Sequence, residues 1–244
     1  MAKLYDVLTE DPLHIKYLQG TSNTLVVSFA GVGTQPAFSP PPEFFKIASS
    51  EGMNHVLFIS DISRSWLNGE DMVERIKRSI ELIAEMVQAD RVVAIGNSMG
   101  GTMAILLADY VKFETVTALV PQVSVHPDVV PEETRWMRFR KRIKSYRFER
   151  ITKLDARDTQ YFVFHGGTDD ELVHAARFPS FENGQHYILP NEDHNLAKSL
   201  RKSDQLYPLM YQAMLGHKKR VYRKVMDLGG HLIADYAVHS KQSA

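Results

Sequence analysis

The 244-residue chain contains no cysteine, which excludes disulfides, thiolate-held metals and a cysteine nucleophile. It has no excess of either charge: Lys and Arg together number 29, as do Asp and Glu. That balance argues against a nucleic-acid partner and against an acidic interaction tail. No apolar run approaches the ~20 residues that cross a bilayer. Residues Met1 to Pro12 carry acidic side chains and lack the apolar core of a secretory signal. The chain also lacks a G-K-[ST] phosphate loop, an H-E-x-x-H pair and any cluster of metal-ligand residues. Gly31-Val32-Gly33 begins like a dinucleotide fingerprint but meets Pro36 where the third glycine belongs. The expectation is a soluble, cytoplasmic protein with no transmembrane segment, no metal and no cofactor. Nothing in the sequence bears on its oligomeric state.

What is present reads as one α/β domain over residues 1–244. Nearly continuous apolar runs predict strands covered on both faces: Thr24 to Ala30, His55 to Ser60, Arg91 to Ile95, Thr115 to Val120, Gln160 to His165 and His186 to Leu189. Between the second and third, Val73, Ile76, Ile80, Ile83 and Val87 form a 3-4-3-4 stripe, the mark of an amphipathic helix within Gly69 to Ala89. Alternation of strand and helix predicts a mostly parallel central sheet flanked by helices. The cluster Pro36 to Pro42 reads as a loop. Residues 217–244 read as a basic, then polar, C-terminal tail.

Chemistry concentrates in "GNSMGG", residues 96 to 101. Gly96-Asn97-Ser98-Met99-Gly100 follows a strand and opens an apolar helix. A nucleophile there would sit on a tight, strained bend, and flanking glycines would let strand and helix approach closely. The plainer reading is a turn serine that caps the helix. A serine nucleophile needs a base, and the base an orienting carboxylate. Two candidates lie just beyond strand ends, where sites collect in open parallel sheets. "HGGTDDELV" puts Asp169 and Asp170 after one strand, with Asp170 preferred from the spacing Gly167-x-x-Asp170-x-x-Val173. "PNEDHNL" puts His194 in a polar loop after the next. The other nine histidines lie in or beside strands, or lack a partner pattern.

With the elbow GNSMGG, the late-strand HGGTDD and the DHNL histidine, the chain resembles the α/β-hydrolase family over roughly residues 20 to 215. The resemblance implies Ser98 as nucleophile, His194 as base and Asp170 as acid, with Asp169 the rival. It also implies an oxyanion hole from the backbone N–H groups of Met99 and Val32, the latter from the loop Ser28 to Gly33. Insertions after the sixth strand form a lid in that fold; here residues 122–155 are the expected small helical lid.

Within that insertion, residues 135 to 150 hold eight Lys or Arg against one Glu, and Trp136, Phe139, Ile143 and Tyr146 fall at helical spacing. This is either a solvated helix face or a cationic lid that attracts an anionic acyl substrate or a membrane surface. Trp66, in a loop beyond the second strand, is either a substrate contact or a core residue. The leading functional reading is hydrolysis of a small-molecule ester or thioester through an acyl-enzyme. The alternatives are an acyltransferase using the same triad and a non-catalytic binding protein on this fold.

Overall fold

The computed structural model describes residues 3–35, 37–156 and 158–236. Pro36 of the proline loop and residues 237–244 of the expected tail lie outside the described residues. All six predicted strands form, as β3 (Thr24–Phe29), β4 (His55–Asp61), β5 (Arg91–Asn97), β6 (Thr115–Leu119), β7 (Gln160–Gly166) and β8 (Gly184–Leu189). They are parallel and lie in the order β4-β3-β5-β6-β7-β8. The chain therefore winds outward from β3 to β4, then returns to lay β5 on the other side of β3. The switch point falls between the carboxyl ends of β3 and β5, where Phe29 pairs with Gly96. A crevice outside the strand ends at such a point is the usual ligand position in open α/β sheets.

An antiparallel hairpin, β1 (Leu4–Glu10) and β2 (Leu13–Leu18), extends the sheet beyond β4, and the two-residue β9 (His231–Leu232) pairs antiparallel with β8. Each face of the sheet buries its own apolar cluster. One lies under α2 (Met72–Met86) and α3 (Met99–Leu107) and holds Ile76, Ile80 and Met103; the expected stripe Val73, Ile76, Ile80 and Ile83 is buried there. The other lies under α1 (Phe45–Ser49), α6 (Leu196–Lys202), α7 (Leu206–Met214) and α8 (Lys218–Asp227). Burial on both faces is why these strands read as continuous apolar runs.

Two expectations are corrected. Residues 218–236 are not a tail: α8 buries Val221 and Val225 on its inward side, and its basic residues simply occupy the solvent side. Residues 135–150 are not one helix. Only α4 (Met137–Arg140) forms, preceded by Trp136 in the left-handed region at φ 55°. The basic side chains reach in different directions. Arg140 is buried and donates to the Val125 carbonyl at 3.0 Å, Arg147 donates to Glu74 at 2.8 Å, and Arg150 donates to the Arg177 carbonyl at 2.8 Å. Phe139 and Ile151 anchor the segment in the core.

Candidate active site

The elbow is set by close backbone approach. A Cβ on Gly96 would lie 2.3 Å from the Gly100 carbonyl carbon, and one on Gly100 would lie 2.2 Å from the Phe29 oxygen. Neither contact is tolerable, so β5 can turn into α3 at this distance only with glycine at both places. Ser98 between them has φ 54° and ψ −123°, a conformation that costs an L-residue of order 1–3 kcal/mol and persists where surrounding structure imposes it. Its hydroxyl lies 2.9 Å from His194 Nε2.

His194 is carried by the turn after β8. Gly166 and Gly167 let that turn lie across the end of β7: a Cβ on Gly166 would meet the Glu192 oxygen at 2.3 Å, and one on Gly167 would meet Pro190 at 2.5 Å. The Gly167 amide donates to the Glu192 carbonyl at 2.9 Å. The glycine pair of "HGGTDD" thus serves the histidine loop as well as its own turn.

The carboxylate on His194 is Glu171, not Asp170. Glu171 Oε1 accepts from His194 Nδ1 at 2.7 Å. Asp169, Asp170 and Glu171 are consecutive residues in the first turn of α5 (Asp169–Ala175), so each points about 100° from the next. Asp169 and Asp170 face solvent, and Asp170 Oδ2 instead accepts from Arg135 Nη1 at 3.0 Å. Glu171 faces inward, its side chain only 1% exposed. Arg135 Nη1 also donates to Glu171 Oε1 at 2.8 Å, and the same guanidinium grips buried Glu133, which accepts from His174 Nε2 at 2.8 Å. Burial pushes the Glu171 carboxyl upward, but the His194 hydrogen bond and charge, His165 and Arg135 outweigh it and hold it below its usual value. For Glu133, burial is overcome by His174 and Arg135, which bring it down to about 2.

Met99 opens α3, where first-turn amides have no intrahelical acceptor. In the facing loop, Glu43 accepts from the Gly31 amide and the Asn97 side chain, while burial raises its carboxyl to about 7. Val32 follows, with its carbonyl turned to Arg64 Nε at 3.2 Å. Arg64 is buried and also donates to the Ile62 and Phe38 carbonyls at 2.6 Å each, so it organises this loop.

Trp66 is 1% exposed and adjoins a cavity of about 10 Å³, room for about one water. Its place is in the core, and a substrate contact there is corrected. Its indole Nε1 donates to Gln122 Oε1 at 2.8 Å, and Gln122 Nε2 donates to Ser98 Oγ at 3.0 Å. Gln122 had no motif to mark it. The tryptophan that meets the histidine is Trp136: half-buried, its ring centroid lies 4.9 Å from that of His194, and the Arg135 guanidinium sits over the ring, 4.7 Å from its centroid. No group of three or more His, Asp or Glu among the described residues is arranged to hold a metal.

The model of the prolyl oligopeptidase family matches residues 67–228, about two thirds of the chain. No curated protein sequence matches. Among solved structures, a Pyrococcus horikoshii acylaminoacyl peptidase superposes with TM-score 0.60 at 12% identity, covering 87% of this chain and 40% of its own. The chain thus spans less than half of that enzyme. A Pyrococcus furiosus esterase gives TM-score 0.57 at 13% identity, with 87% and 90% covered. The capsule O-acetyltransferase of Neisseria meningitidis serogroup A gives 0.56 at 11%, with 84% and 94% covered. These likenesses establish the α/β-hydrolase fold.

Proposed function

The chain belongs to the prolyl oligopeptidase family, and we propose that it is a serine hydrolase that cleaves a small carboxylic ester or thioester through an acyl-enzyme. The observation that carries this reading is the unbroken line Glu171–His194–Ser98, with contacts of 2.7 and 2.9 Å. Ser98 Oγ attacks the acyl carbon while His194 Nε2 takes its proton. Glu171 holds Nδ1 and balances the imidazolium that forms. The tetrahedral oxyanion is received by the backbone N–H groups of Met99 and Val32. Collapse expels the alcohol or thiol, which leaves with the proton from Nε2. Water then attacks the acyl-enzyme by the same route in reverse order and frees the acid.

Trp136 covers the imidazole as the core of a small lid, and the exposed cations Arg138, Lys141, Arg142 and Lys144 of the same segment favour an anionic substrate. Acyl transfer to an acceptor other than water is the second reading, favoured by that cover over His194, which limits the access of water.

A fluorophosphonate probe should label the protein at Ser98, and a p-nitrophenyl and thioester acyl series should reveal turnover. Ser98→Ala should lose the label and lower kcat by at least about 10³-fold with Tm little changed. Near-wild-type turnover by that variant would refute the assignment. Product analysis with added alcohols separates hydrolysis from transfer.

A further inference from the structure

The hydroxyl of Ser98 has a second neighbour besides His194. Gln122 is fully buried, just beyond the end of β6, and both ends of its side-chain amide are hydrogen-bonded. Its backbone carbonyl accepts from Thr102 Oγ1 at 2.9 Å, and its Oε1 accepts from Trp66 Nε1 at 2.8 Å. Its Nε2 lies 3.0 Å from Ser98 Oγ and 3.5 Å from the Val120 carbonyl. An indole nitrogen can only donate. Trp66 therefore dictates which end of the amide is oxygen, and the NH₂ group must face Ser98. The serine oxygen then gives its proton to His194 and accepts one from Gln122, so its rotamer is held from both sides.

We propose that Gln122 is a further catalytic residue, whose side-chain N–H stabilises negative charge on Ser98 Oγ itself. The inference rests on the serine-hydrolase reading above. In acylation the Oγ–carbon bond forms as the Oγ proton moves to Nε2, and the Gln122 donor favours the charge that builds on oxygen as the proton leaves. In deacylation the Oγ–carbon bond breaks, its electron pair returns to Oγ, and His194 then reprotonates it. Here Oγ is the leaving group, and the same N–H lowers the cost of its departure. The donor is desolvated and fixed before reaction begins, the condition under which one hydrogen bond is worth most. This role differs from that of the backbone amides of Met99 and Val32, which in the proposed mechanism receive the substrate's oxygen and not the serine's.

The test is Gln122→Glu, which keeps the acceptor for Trp66 and removes the donor to Ser98. Acylation and deacylation constants come from burst kinetics with p-nitrophenyl acetate, alongside the rate of fluorophosphonate labelling. Both constants and the labelling rate should fall by about 10²-fold at pH 8. As the pH is lowered the glutamic acid becomes an O–H donor, so the ratio of variant to wild-type rate should climb; a merely structural residue would show a flat ratio. Gln122→Met, which removes donor and acceptor together, should show the loss without the recovery at low pH, and it serves if the glutamate variant does not fold. Folded variants that label and turn over at the wild-type rate overturn the proposal, as does a loss in Gln122→Glu that is independent of pH. A wild-type protein that takes no label brings down the serine-hydrolase reading, and this inference with it. A labelled wild type beside unaffected variants brings down this inference alone.

Discussion

At the scale of single residues, the acid of the proposed triad turns on one methylene and one step of rotation. Asp169, Asp170 and Glu171 share a helical turn, but only Glu171 is directed inward, and its extra carbon carries the carboxylate to His194 Nδ1. Glu171→Gln should lower kcat by about 10³–10⁴-fold, because the imidazole loses its orienting charge and can adopt the wrong tautomer. Asp170→Asn should stay within a few-fold, because that side chain is half exposed and pairs with Arg135 rather than with His194. Steady-state kinetics on one ester substrate check both; a larger loss for Asp170→Asn would return the role to the aspartate. Three successive carboxylates cannot be told apart along the chain, whereas Ser98 and His194 announce themselves by glycine flanks and by position after a strand.

At the scale of elements, the site depends on loops that lie against one another without side chains between them. Gly166 is the instance beside the histidine loop, since any Cβ there meets the Glu192 oxygen at 2.3 Å. Gly166→Ala should push the 190–193 turn outward and carry His194 with it. A displacement near 1 Å at the base costs about 10²-fold in rate, so kcat should fall by that order. A variant with wild-type kcat would show that the turn does not hold the histidine. The basic segment 135–150 teaches the opposite lesson. Its helical spacing is real, but Trp136 leaves the helical region at φ 55° and Arg135, Arg140 and Arg147 are drawn to separate partners. Local periodicity loses there to ion pairs and carbonyl contacts made far along the chain.

At the scale of the whole molecule, stability should depend on pH through histidines under the site. His165 Nε2 contacts the Pro121 carbonyl at 2.8 Å, and its Nδ1 contacts His186 Nε2 at 2.9 Å. A carbonyl only accepts, so His165 carries its proton on Nε2 and takes the hydrogen of His186 on Nδ1. Burial drives His165 down to about 4 and His186 well below its ordinary value. Between pH 6.5 and 4 the unfolded chain therefore binds protons that the folded chain refuses. Stability is full above about 6.5 and is lost as the pH falls towards 4. For His165 this loss is on the order of 3 kcal/mol, or roughly 6–12 °C in Tm for a chain of this size. Glu43 works the other way: its carboxyl is raised to about 7 by burial, so its contribution is present below about 4.5 and is lost as the pH rises through 7. Thermal melts of a Glu43→Gln variant from pH 8 to pH 4 should therefore lose more Tm on acidification than those of the wild type, because the opposing Glu43 contribution is gone. A flat Tm across that range would mean that the pair titrates freely in the fold.

The sequence by itself determined what depends on neighbours in the chain. Apolar runs long enough for strands, a 3-4-3-4 stripe and glycines around Ser98 specify the parallel sheet, α2 and the elbow, because backbone sterics and burial of a continuous face act over a few residues. The hairpin of β1 and β2 left a weaker mark: β2 alternates between buried and half-buried positions, and β1 is largely exposed. Only the tertiary structure decided who stands around the serine. Gln122 meets Ser98 across 24 positions, Trp66 meets Gln122 across 56, and His194 meets Ser98 across 96. Such contacts follow from which way a side chain points after every strand has taken its place. A hydrogen bond made or missed by a 100° turn of a helix leaves no trace in spacing or composition.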